Sequence, residues 1–460
     1  MKNLTLIVLF ALTISCGKEE KPVDYAIIHG KIQNTDSGKF IISNSEKKIG
    51  EITVNDDGTF TDTLQKVTVG YYTFKYANES SQIYIKPGYD LTLSLNPLEF
   101  DESITYEGNG SMENNYLAQK YLKEEALGEL NSYRYLGTLE EEEYISKMDS
   151  IKKLQNSFLE ETKDLDVDFK ALEKASITYN HANNLNRFES YKRFVSKDQD
   201  FKVSENFPDF ENSLNLEDEK LLAVANYKMY LSDFYTEKAS ELAKSDSISQ
   251  ELAFLQVVSD QVKSPEIKNN LLYGSAKYGI TYTNELQAYY DIFMANTTNE
   301  DHKKEITEKY HKLIKLSKGE PSPTFENYEN FAGGTTSLSD LKGKYVYVDV
   351  WATWCGPCKR EIPSLKEMEK KYHEKNIAFI SMSIDRKVDY DKWRNMVEEE
   401  SLSGIQLFAP NDWSSDFVTK YSILGIPRFI LIDKEGNIVN SNAPRPSQLE
   451  LTSLFDSLDI

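Results

Sequence analysis

From Asp24 to about Glu107 apolar and polar residues alternate with period two, the repeat of a half-buried strand. Tyr72, Phe74 and Tyr76 alternate with Thr73 and Lys75, and Leu91, Leu93 and Leu95 with Thr92 and Ser94. Asn55-Asp56-Asp57-Gly58 and Lys86-Pro87-Gly88 supply turns between the runs. Short strands at this spacing predict a small antiparallel β sandwich or barrel over residues 24–108. No cluster of catalytic residue types falls inside it, which fits a scaffold or docking module.

After Gly108-Asn109-Gly110 the period changes. Ala118, Leu122, Ala126 and Leu130 recur four apart, and Tyr144, Met148, Ile151, Leu154 and Phe158 mark one helical face behind the acidic first turn Glu140 to Glu143. The pattern returns at Ile306, Tyr310, Leu313 and Ile314, and between Ser111 and Lys318 there are two prolines, Pro208 and Pro265. This predicts an all-α middle domain over 109–318, whose tyrosines and charges read as core and solvated face. Gly319, Pro321 and Pro323 then stop the last helix.

From 319 to 460 strands and helices alternate. Tyr345 to Val350 is a strand, a helix runs to about His373, and Ile377 to Ile384 is an apolar strand. Helices follow around Trp393 and at Phe417 to Tyr421, then the strand Phe429 to Ile432 and a closing helix from Ser447 to Leu458. Such alternation implies an α/β sheet with helices on both faces.

The first residues read differently from the rest. Lys2 precedes an apolar run of eleven residues, Leu4 to Ile14, too short to cross a bilayer and the length of a signal-peptide core. Ser15-Cys16 at its end resembles a bacterial lipobox, predicting a signal peptide over 1–15, lipid attachment at Cys16 and a polar tether over 16–23. An ordinary cleaved signal with an incidental cysteine is the alternative. Lys18-Glu19-Glu20 resemble the acidic signals that carry some Bacteroidetes lipoproteins to the cell surface, although a solvated tether reads the same way. The expected location is the cell envelope, on the periplasmic side or displayed at the surface, with the lipid anchor as the one membrane attachment.

Composition narrows the partners. The 460 residues are 40% hydrophobic and 12% aromatic, enough for real cores, and carry a formal net charge of −21. That sign excludes a nucleic-acid binder, which needs cations to displace counterions, and a basic surface for anionic lipid. Besides Cys16 there are two cysteines, Cys355 and Cys358, both in one Cys-Gly-Pro-Cys. A single vicinal pair in an exported chain points to redox chemistry rather than a structural bridge. Zinc is a poor reading, because a structural site takes four ligands and the histidines at 29, 181, 302, 311 and 373 show no ligand spacing.

The strand ending at Val350 feeds Trp351-Ala352-Thr353-Trp354-Cys355-Gly356-Pro357-Cys358. A cysteine in the first turn of a helix meets unpaired N–H groups and the positive end of the dipole, which favours its thiolate. Cys355 is therefore the expected nucleophile and Cys358, one turn on, the resolving thiol. Pro357 sits where a missing N–H costs little. Asp349 is the one charged residue of its strand, six before Cys355. Buried behind the pair, its carboxyl would have a raised pKa and could accept the proton of Cys358; a rim aspartate without kinetic role is the alternative. Ile426-Pro427 precedes an apolar strand, and a cis peptide there would set the Ile426 backbone beside the disulfide for pairing with an extended substrate. A trans turn proline is the other reading.

Trp354-Cys355-Gly356-Pro357-Cys358 with Pro363, Asp349 and Ile426-Pro427 resembles thioredoxin. Leu338-Ser339-Asp340-Leu341-Lys342-Gly343-Lys344 and the export signal look more like the TlpA/ResA branch of membrane-tethered disulfide reductases, and the β-rich and helical segments resemble the front of Bacteroidetes TlpA-like lipoproteins. The resemblance covers about Gly319 to Ile460 and implies a thioredoxin fold, Cys355 as nucleophile, Cys358 as resolving thiol, Asp349 as proton acceptor and Pro427 as the cis proline, with Trp354, Gly356, Pro357 and Ile426 in support. ResA-like proteins also place a glutamate in an early strand; Glu326 and Glu329 are both candidates and neither is assigned. The implied activity is reduction or isomerisation of disulfides in exported proteins, with no cofactor beyond the Cys355–Cys358 pair and an upstream membrane thiol reductase as electron source. A thiol peroxidase of the same fold is the alternative, against which Val348 and Ala352 stand where peroxiredoxins set a proline and a threonine. A non-enzymatic envelope adaptor is the third reading.

Overall fold

The computed structural model describes residues 23–35, 38–44, 47–210 and 213–460. The expected signal peptide, Cys16 and the Lys18-Glu19-Glu20 tether lie outside them. The described chain falls into two compact units, one of residues up to 214 with 220–230, the other of 215–219 with 231–460. The helical stretch is thus divided between them.

The first unit begins with eight strands, β1 (Ala26–Ile32), β2 (Gly38–Ser43), β3 (Lys48–Val54), β4 (Thr59–Leu64), β5 (Gly70–Tyr76), β6 (Glu79–Ile85), β7 (Asp90–Leu95) and β8 (Thr105–Asn109). They form two open four-stranded sheets, β4-β1-β7-β8 and β3-β2-β5-β6. The alternation puts Phe40, Phe60 and Phe74 inside, where Phe40 stacks on both other rings at 5.0 Å. The sheets do not close, so the barrel reading gives way to two sheets. One pairing also departs from an antiparallel plan. β7 returns after the β2–β6 excursion to lie parallel to β1, Ile28 opposite Leu91. At the Asn55–Gly58 turn Gly58 has φ +80, and a Cβ there would lie 2.0 Å from the Ile32 carbonyl oxygen.

Helices α1 (Ser111–Glu125), α2 (Glu141–Glu161), α3 (Val167–Asn186) and α4 (Phe188–Ser196) follow. A buried charge joins them to the strands: Glu173 accepts the Tyr71 hydroxyl at 2.6 Å and pairs with Lys120 at 2.8 Å. With a partner on each side, a carboxylate that is 1% exposed is not left unpaired. Helix α5 (Ala225–Asp246) runs through the division between the units.

In the second unit come α6 (Gln250–Gln261), α7 (Pro265–Gly279), α8 (Leu286–Asn296) and α9 (Glu300–Leu313). A mixed seven-stranded sheet follows, built from β9 (Tyr328–Asn330), β10 (Thr335–Thr336), β11 (Tyr345–Trp351), β12 (Ile377–Ser383), β13 (Ile405–Phe408), β14 (Arg428–Ile432) and β15 (Ile438–Asn440) in the order β10-β9-β13-β12-β11-β14-β15. β11 lies parallel to β12 and antiparallel to β14. Alternate residues supply two cores. Val346, Val348 and Val350 join Ile430 and Ile432 with Trp393 of α11 (Tyr390–Glu399) and Phe417 of α12 (Asp416–Lys420). Tyr347, Phe379, Phe429 and Leu431 lie on the other face under Leu365 and Met368 of α10 (Gly356–Tyr372) and Phe455 of α13 (Leu449–Asp456). Helices therefore cover both faces, as the alternation implies. Among the described residues no helix is long and apolar enough to cross a membrane.

Candidate active site

β11 delivers its last residue, Trp351, to a short turn that ends at Cys355, the N-cap of α10. Gly356 and Pro357 are the first two helical residues, so the proline falls where its missing N–H removes no intrahelical bond. Cys355 and Cys358 are joined as a disulfide with Cα atoms 5.3 Å apart. Cys355 Sγ accepts the Cys358 N–H at 3.1 Å, one of the free donors of the first turn. Both cysteines are buried while the neighbouring Trp354 is 54% exposed. The turn itself is fixed from below. Asp385, fully buried, accepts Thr353 N at 3.0 Å, Thr353 Oγ1 at 2.7 Å and Ser383 Oγ at 2.8 Å.

Asp349 faces the side of the sheet that α10 covers, between Ser381 of β12 and Phe429 of β14 in register. It is buried, and burial pushes its carboxyl well above the usual aspartate range, with Glu361 and Glu369 adding negative charge. Asp349, Cys358, Trp351, Glu369 and Gln406 line one cavity of about 10 Å³, room for a single water. Among the described residues Asp349 Oδ1, Trp351 Nε1 and Gln406 Oε1 have no hydrogen-bond partner. Glu369 accepts the Ser403 hydroxyl, yet burial keeps its carboxyl above its ordinary value. Glu361 accepts Ser447 N and Oγ, both at 3.0 Å.

The Ile426-Pro427 peptide is cis. Arg428 pairs with Val350, so residues 425–427 and the turn that ends at Cys355 leave adjacent strands at the same end of the sheet. Outside the pair, Trp354 and Trp413, ring centroids 6.4 Å apart, border a groove of about 750 Å³ with Arg386, Asp389, Lys392 and Met396 on its walls. Leu424, 46% exposed, adds an apolar surface one residue before Gly425.

The structure thus brings together Asp349, Cys355, Gly356, Pro357 and Cys358, with Trp354 at the rim and Ile426-Pro427 at the same sheet end. Glu326 and Glu329 are exposed, and Glu329 accepts the Tyr390 hydroxyl instead of approaching the pair. The carboxylates around Asp349 come from α10. Glu369 was legible, since Cys358, Leu365 and Glu369 recur on one helical face. Asp385, just past an apolar strand, carried the same kind of signal as Asp349. Trp413 and Arg428 carried none. Among the described residues no group of three or more histidine, cysteine or carboxylate side chains is arranged to hold a metal ion.

A mixed sheet with helices on both faces and a Cys-x-x-Cys pair capping the helix after an interior strand, β11, defines a thioredoxin-fold thiol-disulfide oxidoreductase. Residues 317–456 match the family model Redoxin. Thiol-disulfide oxidoreductase ResA of Bacillus cereus (strain ATCC 10987 / NRS 248) is 30% identical over 130 residues, 28% of this chain and 72% of the relative. ResA of Bacillus anthracis is 32% identical over 125 residues, 27% of this chain and 69% of the relative. A crystal structure of the thioredoxin domain of a thiol-disulfide oxidoreductase from Bacteroides vulgatus is 30% identical, covering 32% of this chain and 99% of that one with a TM-score of 0.28. Through this segment the chain belongs to the TlpA/ResA-like thioredoxin family of thiol-disulfide oxidoreductases.

Proposed function

We propose that the protein reduces or isomerises disulfides of exported proteins in the bacterial cell envelope, working through Cys355 and Cys358. The observation that carries the reading is Cys355 at the N-cap of α10 with a buried carboxyl, Asp349, sharing a water-sized cavity with Cys358. Reduction of the pair leaves Cys355 as a thiolate facing the Cys358 N–H and the positive helix end. That thiolate attacks one sulfur of a substrate disulfide, forming a mixed disulfide while the other substrate sulfur leaves as thiolate. The ionised form of Asp349 takes the proton of Cys358, which attacks Cys355 Sγ, and the second substrate thiolate departs. Two electrons pass to the substrate and the pair ends as a disulfide. An upstream membrane thiol reductase must return those electrons, and no further cofactor is required.

The exposed Trp354, Leu424 and Trp413 give a polypeptide an apolar surface beside the pair, with the charged groove walls alongside. The signal-like Leu4 to Ile14 run and Cys16 support lipid anchoring in the envelope. The full chain is expected to accelerate insulin reduction by dithiothreitol well above the dithiothreitol background. No acceleration at any enzyme concentration would sink the reductase reading.

A further inference from the structure

Residues 428, 430 and 432 of β14 point to one face of the sheet, cross-strand from Val350, Val348 and Val346. Two of the three are isoleucines in the core that also holds the cysteines. The third is Arg428, only 4% exposed. A guanidinium in an apolar row is costly unless its donors are met; Nε has no hydrogen-bond partner among the described residues, and most of the groups that meet the Nη donors lie outside the thioredoxin fold. Nη1 donates to the Thr281 carbonyl oxygen at 2.5 Å and to Asn442 Oδ1 at 3.2 Å, and Nη2 donates to Thr281 Oγ1 at 3.2 Å. The Tyr282 ring lies 4.2 Å from the guanidinium carbon, and Asn442 Nδ2 donates to the Tyr282 carbonyl. Tyr282 also reaches the loop before Arg428, since a Cβ at Gly425 would sit 2.5 Å from its hydroxyl oxygen.

Thr281 and Tyr282 belong to the turn between α7 and α8, in the helical stretch. The turn is itself held: Thr281 N and Tyr282 N bond the carbonyls of Tyr278 and Gly279 at 3.0 and 2.9 Å, and Ser249 Oγ and Thr283 Oγ1 both donate to Glu285 at its far end. A fixed turn therefore holds residue 428 and lies against Gly425, on either side of Ile426-Pro427, at the sheet end where the Cys355 turn emerges. We propose that the Thr281–Tyr282 turn is a positioning element of the thiol-disulfide site, setting through Arg428 and Gly425 the loop that receives a protein disulfide. The helical stretch thereby contributes to substrate recognition. This rests on the reductase reading above, and the planar fork of arginine and the ring face of tyrosine are the groups it requires.

The test uses the full chain, reduced and freed of thiol, mixed with insulin or with glutathione disulfide, and follows the second-order rate constant for each. Tyr282→Ala is expected to lower the insulin rate about tenfold, the loss of roughly 1.4 kcal/mol of interaction, and the glutathione rate far less. Tyr282→Phe, which keeps the ring over Arg428 but loses the hydroxyl beside Gly425, is expected to restore most of the ratio of the two rates. Should Tyr282→Ala not fold by thermal melt, Arg428→Lys carries the test and is expected to lower the same ratio. Equal ratios in the variants and the wild type, or parallel loss of both rates without rescue by phenylalanine, would overturn the proposal. A wild-type chain that reacts with glutathione disulfide but not with insulin would instead remove the reductase reading, and this inference with it.

Discussion

Replacing Cys358 by serine is expected to turn the protein into a trap that holds its substrates as mixed disulfides, whereas replacing Cys355 leaves it inert. The two sulfurs are chemically alike and differ in position. Cys355 caps α10 and takes the Cys358 N–H at 3.1 Å, so its thiolate is stabilised without losing access to the rim where Trp354 is exposed. Cys358 lies inside the first turn against Asp349 and the small cavity, positioned for attack on Cys355 and on little else. With Cys355→Ser the attack on substrate has no thiolate, and turnover falls to background. With Cys358→Ser the first exchange proceeds and the second cannot, so covalent adducts to Cys355 accumulate. Non-reducing gels of cells expressing each full-length variant check this. Adducts in the Cys355→Ser variant, or none in Cys358→Ser, would reverse or remove the assignment.

The second large effect concerns Asp349. An aspartate with a raised pKa in the folded state keeps its proton where the unfolded chain has released it. Between the unfolded value near 4 and the raised folded value the unfolded state therefore binds fewer protons, and stability falls as pH rises through that window. Asp349→Asn removes the titration. The variant is expected to be more stable than the wild type at pH 8 by about 2 kcal/mol, the usual scale for an uncompensated buried polar group. The difference should vanish near pH 4. Activity should move the other way. Without a proton acceptor beside Cys358, release from the mixed disulfide is expected to slow about 100-fold near neutral pH. The gap should close in alkali, where Cys358 loses its proton to solvent. Chemical denaturation and single-turnover kinetics from pH 4 to 9 read both effects. A variant with unchanged stability at pH 8 and an unchanged release rate would make Asp349 a bystander.

The redox pair was legible because its signals are local. A strand, a tight turn and a helix N-terminus are written in adjacent residues, and an aspartate inside Tyr345 to Val350 stands out against its neighbours. Glu369 was equally local, at helical spacing from Cys358, but a carboxylate on a charged helix stands out far less than one in an apolar strand. The partners of Arg428 were not legible. One of them, Thr281, is 147 residues away, and no period or motif links a helix-connecting turn to a strand start at that distance. For the same reason the sequence could not show that the helical stretch divides between two compact units, or that β7 returns parallel to β1. Both are set by which apolar faces meet, not by which residues are neighbours in the chain. Cys16 and the export segment rest on the sequence alone.

The central claim is that the Cys355–Cys358 pair works as a reductant, and its midpoint potential tests that most directly. The full-length protein, equilibrated at pH 7 in graded mixtures of reduced and oxidised dithiothreitol or glutathione and quenched with acid and a thiol-blocking reagent, gives the potential from the fraction reduced. The Gly356-Pro357 dipeptide, which resembles that of thioredoxin, predicts a value near about −270 mV. A value near about −120 mV, that of a strong oxidant, would contradict the account.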